Sequence, residues 1–189
     1  MFDRLLPVSV FRAHWKGLSS YRDDDVRPDV ATRLVLIVVP MGIGISMWLF
    51  CGELSSPAAL LAGLALLAGG LVAAFGQLAT LRLRLTERMT SDDDGQRTDR
   101  DFLDETAAHL LSAAYGAAVT AAVLVAGMNF ALDKDGELYG PWAAVATALA
   151  SWVILVFLIA IPRMYEAYAK INKVRDALSG THKGGGHHS

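Results

Sequence analysis

Four long stretches of this chain carry no Asp, Glu, Lys or Arg: Leu34–Gly52, Leu54–Leu81, Thr106–Leu132 and Leu138–Pro162. Each meets the roughly 18–20 residues that a helix needs to cross about 30 Å of hydrocarbon. Backbone polar groups left open in lipid are costly, so a spanning segment is a helix or part of a closed barrel. The runs are continuous and do not alternate, which removes the barrel. Burying four such runs inside a soluble fold would leave too little polar chain to cover them, because 53% of the 189 residues are hydrophobic and 19% are charged. The sequence therefore predicts an all-α integral membrane four-helix bundle, with spans near 34–52, 57–81, 108–132 and 140–162. The first run is long, follows a charged leader and is not trailed by a small-residue cleavage site, so it reads as a span and not as a signal peptide.

The basic residues are sorted by loop. Sixteen of the seventeen Lys and Arg lie in the leader up to Arg33, in the segment 82–107, or after Pro162; only Lys134 lies elsewhere. The positive-inside rule then places both termini and the central segment in the cytoplasm. Abundant Arg and Ala point to a GC-rich bacterial genome and hence to the inner membrane. The expected organisation is a leader (1–33), a four-span region (34–162) containing a cytoplasmic hairpin (82–107), a C-terminal cytoplasmic helix (163–180) and a tail (181–189). The His pair of that tail is native or belongs to a purification tag and enters no site.

The central segment LTERMTSDDDGQRTDRDFLDE lies between apolar runs and needs no chemistry to explain its polarity. Leu78, Leu81, Leu85 and Met89 keep helical spacing, so the second helix is expected to run past the membrane. The run SDDDG supplies a turn, and Thr98 or Asp99 is expected to cap the next helix. An EF-hand register with Gly95 at position 6 puts Asp92 and Asp94 at positions 3 and 5. It leaves Thr90 at position 1 and Asp101 at position 12, which departs from the calcium pattern. The loop LDKDGELYG fails likewise, with Ala131 at position 1, and reads as a tight turn around Asp135-Gly136. Asp101, Glu105 and His109 share a helix face, but a bundle metal site needs matching ligands from other helices. None is evident, so His109 is expected at headgroup level, titrating near neutral pH. No metal, cofactor or nucleic-acid partner is expected.

The spans carry no ionisable residue near their centres, which disfavours a proton-coupled carrier. Small multidrug transporters also have four helices but use a membrane-embedded Glu that these runs lack. Metalloprotease, hydrolase-elbow and phosphate-loop signatures are missing, so no enzyme is expected. The lone Cys51 closes the first run and is expected to be buried or lipid-facing.

Small residues recur in the second and third runs: Ala62, Gly63, Gly69, Gly70 and Gly76, then Ala114, Ala118 and Ala122. They let backbones approach closely, either within one bundle or between copies. Pro40 is the expected kink of the first helix. In the leader, Phe2, Leu5, Leu6, Val10, Phe11, Trp15 and Leu18 among basic residues suit a helix on the membrane surface or a docking segment, with Pro7 setting its start.

Three functions follow. The first is a non-enzymatic, homo-oligomeric pore or membrane-perturbing protein, comparable in size and topology, and in nothing more, with holins and defence effectors. The second is an anchor or sensor subunit holding a cytoplasmic protein through its leader, C-terminal helix and hairpin residues Arg88, Asp92, Asp93, Asp94, Arg97 and Asp101. An uncoupled small-solute transporter is the third.

Overall fold

The computed structural model describes residues 8–22, 25–87 and 94–171. A short helix α1 (Val8–Gly17) leads into a two-stranded antiparallel hairpin, β1 (Ser19–Arg22) and β2 (Asp25–Pro28), in register Ser19↔Pro28 to Arg22↔Asp25. Four long helices follow: α2 (Val30–Leu49), α3 (Pro57–Glu87), α4 (Asp94–Phe130) and α5 (Gly140–Ile171). All four are long and apolar enough to cross a membrane.

Local chemistry sets the boundaries. Asp29 caps α2: its Oδ1 accepts from the Thr32 amide at 3.1 Å, and its Oδ2 accepts from the Thr32 hydroxyl at 2.5 Å. Those donors hold the Asp29 carboxyl below its ordinary range. At the other end of α2, the Gly52 amide donates to Met47 O (2.8 Å) and the Cys51 amide to Trp48 O (3.3 Å). This is a Schellman motif with Cys51 at φ +50° in the left-handed position where Gly is favoured. Pro57 opens α3 at the first turn, where its missing N–H is harmless.

The helices pack in a row, α2–α5–α4–α3, with α1 seated on α4. Half of the apolar window of α4 is buried, against 17% for α2 and 11% for α3, so α4 and α5 are central and the other two flank them. Small residues make the central contact close: Ala113, Ala117, Ala143, Ala146, Val153 and Ala160 are buried. A Cβ on Gly116 would lie 2.5 Å from the Trp152 ring. On α2 the buried stripe is Leu36, Pro40 and Gly44, at four-residue spacing. A Cβ on Gly44 would sit 2.9 Å from that of Ala148. Pro40 thus lies in the packed face of a helix that continues through it. On α3 the packed stripe is Leu64, Leu71 and Leu78.

At the end opposite α1 the two short loops clip together. The Leu54 amide donates to Leu138 O (2.8 Å) and the Leu138 amide to Leu54 O (3.1 Å). The expected tight turn forms there, closed from the Gly136 amide to Asp133 O at 3.0 Å, with Gly136 at φ +81°.

Several expectations shift. The extension of α3 holds as far as Glu87, whereas α4 runs from Asp94, so Thr98 and Asp99 lie inside it and not at its first position. An acid at the first position suits the helix dipole. Pro162 does not divide α5 from a separate C-terminal helix; one helix runs to Ile171, since residues 163–171 keep their own helical spacing. Leader residues Phe2, Leu5, Leu6 and Pro7 lie outside the described residues, as do the SDDDG turn residues 91–93 and everything after Ile171.

Candidate functional site: a buried histidine clasp

Phe11, His14, Gly17 and Leu18 fall at three- and four-residue spacing, which gives α1 one inward face. That face runs along α4, from Gly17 beside Glu105 to Phe11 beside Tyr115, and reaches Trp152 midway along the spanning segment of α5. His14 is 2% exposed and its Nδ1 lies 2.6 Å from Nδ1 of His109, which is fully buried on α4. The rings meet edge to face at 4.7 Å between centroids. Trp152 of α5 closes one side, 6.2 Å from the His14 ring. Phe11 packs edge-on to Tyr115 at 5.6 Å and lies 6.1 Å from Trp152. The leader helix is therefore docked on its own bundle through this face. Outside the clasp, Val8 and Trp15 remain exposed.

One turn from His109 along α4, Glu105 forms an ion pair with Arg163 of α5. Its side chain is 10% exposed, and its Oε1 lies 3.7 Å from His109 Nε2. Gly17 allows this approach, because a Cβ there would stand 2.5 Å from Glu105 Cγ. A second tie comes from α2: Arg33 donates to Trp15 O at 2.8 Å and lies over the Trp15 ring at 5.4 Å.

The nearby carboxylate favours one pair of tautomers. The Glu105 carboxylate favours a proton on the near nitrogen of His109, Nε2. His109 Nδ1 is then an acceptor, and His14 Nδ1–H is the donor between the rings. His14 Nε2, His109 Nε2 and Ser112 Oγ are buried without a hydrogen-bond partner. The His14 pKa is lowered to about 3, first by burial and then by His109 and Arg163. His14 is therefore seated as a neutral imidazole.

This is not a metal centre. The two Nδ1 atoms face each other at hydrogen-bond distance, too close to admit an ion with metal–nitrogen bonds of about 2.0–2.1 Å in tetrahedral geometry. Glu105 lies on the opposite edge of His109. Among the described residues no three ligating side chains converge.

The sequence singled out Glu105 and His109 as sharing a face, and the structure brings them together, with His109 buried between the helices. Arg82, at the end of the α3 span, holds Asp104 with both carboxylate oxygens, at 2.5 and 2.9 Å. The hairpin residues Arg88, Asp92 and Asp93 lie outside the described residues; Asp94, Arg97 and Asp101 fall in the first two turns of α4.

The small residues divide. Ala114 is buried, whereas Ala118, Ala122, Ala62, Gly63, Gly69, Gly70 and Gly76 are exposed. A Cβ on Gly63, Gly69, Gly70 or Gly76 would meet nothing within 4 Å. The glycines of α3 do not mediate packing inside this bundle; Gly44, Gly116 and Gly127 do. Gly70 lies on the wall of an open apolar groove of about 400 Å³ between α3 and α5. Cys51 is exposed, not buried. The chain matches no known family model, curated protein or solved structure.

Proposed function

We propose that this chain is a non-enzymatic bacterial inner-membrane protein with both termini in the cytoplasm, acting as a sensor or anchor subunit for a cytoplasmic protein. The observation that supports it is the clasp: a leader helix outside the spans is held on two spanning helices through buried ionisable side chains. Such a contact couples the position of a helix that is not itself a span to the packing of the membrane helices. The orientation rests on the distribution of Lys and Arg. The partner is expected at the end that carries α1, the α3–α4 hairpin and the end of α5.

The pore reading takes second place. The buried polar side chains His109, Ser112, Thr106 and Thr120 belong to α4, and the Thr120 hydroxyl donates to Gly116 O at 2.7 Å. Among the described residues these buried polar side chains of the spans lie on one helix, so a pore requires assembly. The outward Gly63, Gly69, Gly70 and Gly76 face supports that assembly.

The deciding experiment is the mass of the complex taken intact from native membranes. A complex containing a second polypeptide, lost when residues 92–101 become a Gly/Ser linker or α1 is removed, supports the subunit reading. A symmetric multiple of the 20.3 kDa chain alone overturns it in favour of self-assembly.

A further inference from the structure

The groups facing His14 decide what happens when α1 meets acid. From α4 these are His109 and Glu105; from α5, Arg163. The neutral pair shares one proton between its Nδ1 atoms. A second proton, on His14 Nε2, creates an imidazolium in a buried site where that nitrogen has no acceptor. Glu105 cannot neutralise it, because its carboxylate is held by Arg163 and lies on the far edge of His109. Arg163 adds like charge. Once α1 leaves α4 for the aqueous boundary, water solvates the cation.

We propose that the His14–His109 contact is a proton-operated latch: acidification of the compartment bathing α1 protonates His14 and releases the leader helix from α4. Release uncovers Phe11, His14 and Gly17 on α1 and Glu105, His109 and Tyr115 on α4. This inference rests on the sensor reading and names its input. The sign follows from linkage. Seated, His14 holds its proton only below about 3; released, it has the ordinary value of 6.5. The released form binds more protons throughout that window, so protons do not oppose the clasp above 6.5 and weaken it increasingly as pH falls. The ratio of released to seated protein rises by about tenfold per pH unit.

The test is a distance measurement on the full chain in liposomes. Spin labels go on Arg12→Cys and Leu83→Cys, both exposed positions, with Cys51→Ser removing the native thiol. Pulsed electron resonance then reads the separation from about pH 7.5 to about pH 5. One narrow distance at neutral pH, with a second broad population growing on acidification, is the expected result. His14→Asn keeps a hydrogen-bonding atom near the Nδ1 position and cannot titrate in this range, so its distance should stay fixed. An unchanged wild-type distance down to pH 5 overturns the latch, and so does an equal pH response in His14→Asn. Should His14→Asn fail to seat at any pH, the double change His14→Phe with His109→Leu, which removes both titratable rings, replaces it under the same criterion. Co-purification of a partner is scored separately, so a pH-independent distance removes the latch alone, and a missing partner removes the sensor reading alone.

Discussion

His14 Nδ1 and His109 Nδ1 stand 2.6 Å apart although 95 positions separate them. That contact ties the leader to the middle of the chain and makes each imidazole depend on the other. Removing one partner leaves a buried nitrogen unmatched, which costs about 1–3 kcal/mol. His109→Ala should therefore destabilise the α1 contact by that order. The double change His14→Phe with His109→Leu should regain most of it, since both polar atoms then disappear. Unfolding in mild detergent and protease cleavage after α1 measure the two effects; equal losses in the single and double variants would show that the hydrogen bond is not what holds the helix.

The Glu105–Arg163 pair is held to the same logic with charge. Glu105 is 10% exposed on its side chain and Arg163 24%. Breaking a mostly buried pair from one side leaves an uncompensated ion, at about 2–4 kcal/mol after allowing for the exposed part of Arg163. Glu105→Gln should show this loss. Glu105→Leu combined with Arg163→Met should recover much of it. A cost below about 0.5 kcal/mol in Glu105→Gln would mean that water reaches the pair and screens it.

How much of this was legible follows from what lipid does to sequence signals. The four spans could be read because uninterrupted apolar runs have one solution in a bilayer. Which face of α3 packs inward could not. Leu64, Leu71 and Leu78 turn toward α4, and the Gly69–Gly76 face turns out. Lipid tails are as apolar as Leu, so no hydrophobic contrast marks the inner side. The clasp was half legible. Glu105 and His109 share a face at four-residue spacing, but His14 has no local signal beyond lying between Phe11 and Leu18 on one helical face. Its partner is set by tertiary packing, which periodicity within α1 cannot supply.

Two glycines separate bundle packing from self-association. A Cβ on Gly116 would lie 2.5 Å from Trp152 Cζ3 and 3.1 Å from Val153 Cγ2, both in the core. Gly116→Ala should destabilise the protomer by about 1–3 kcal/mol through overpacking. Gly69 has open space, so Gly69→Leu should leave protomer stability unchanged within about 0.5 kcal/mol. Measured side by side, the pair is diagnostic. If Gly69→Leu lowers the mass of the membrane complex while the protomer still folds, the outward face contacts another chain; an unaltered mass leaves that face to lipid.

The loop clip opposite α1 should respond to pH in the reverse sense to the latch. Glu137 is held above its ordinary carboxyl range, first by a hydrogen bond to Glu53, then by slight burial and by the charges of Glu53, Asp135 and Asp133. A carboxyl raised in the folded state contributes most when protonated. The clip is therefore firmest below about 4.5, the ordinary value, and loosens as pH rises through the raised one. Hydrogen-exchange protection of the Leu54 and Leu138 amides should fall over that range. Glu53→Gln keeps a hydrogen bond to Glu137 and removes the shared proton, so its protection should be flat. Wild-type protection that is also flat would show that the two carboxylates do not share a proton.

Cys51 offers a test of backbone strain and of topology in one residue. It holds φ +50° at the position after the α2 cap, where a side chain crowds the backbone and Gly does not. Cys51→Gly should stabilise the protein by up to about 1 kcal/mol, offset in part by the greater freedom of Gly in the unfolded chain. Cys51→Val should cost more than that, because β-branching resists positive φ. The thiol is exposed in the α2–α3 loop, the side opposite α1. With the termini inside, a membrane-impermeant maleimide added to spheroplasts should label wild-type Cys51, whereas the Arg12→Cys, Cys51→Ser protein should react only after the membrane is opened. The reverse pattern would invert the topology and place the latch on the outer face, where it would sense external acid.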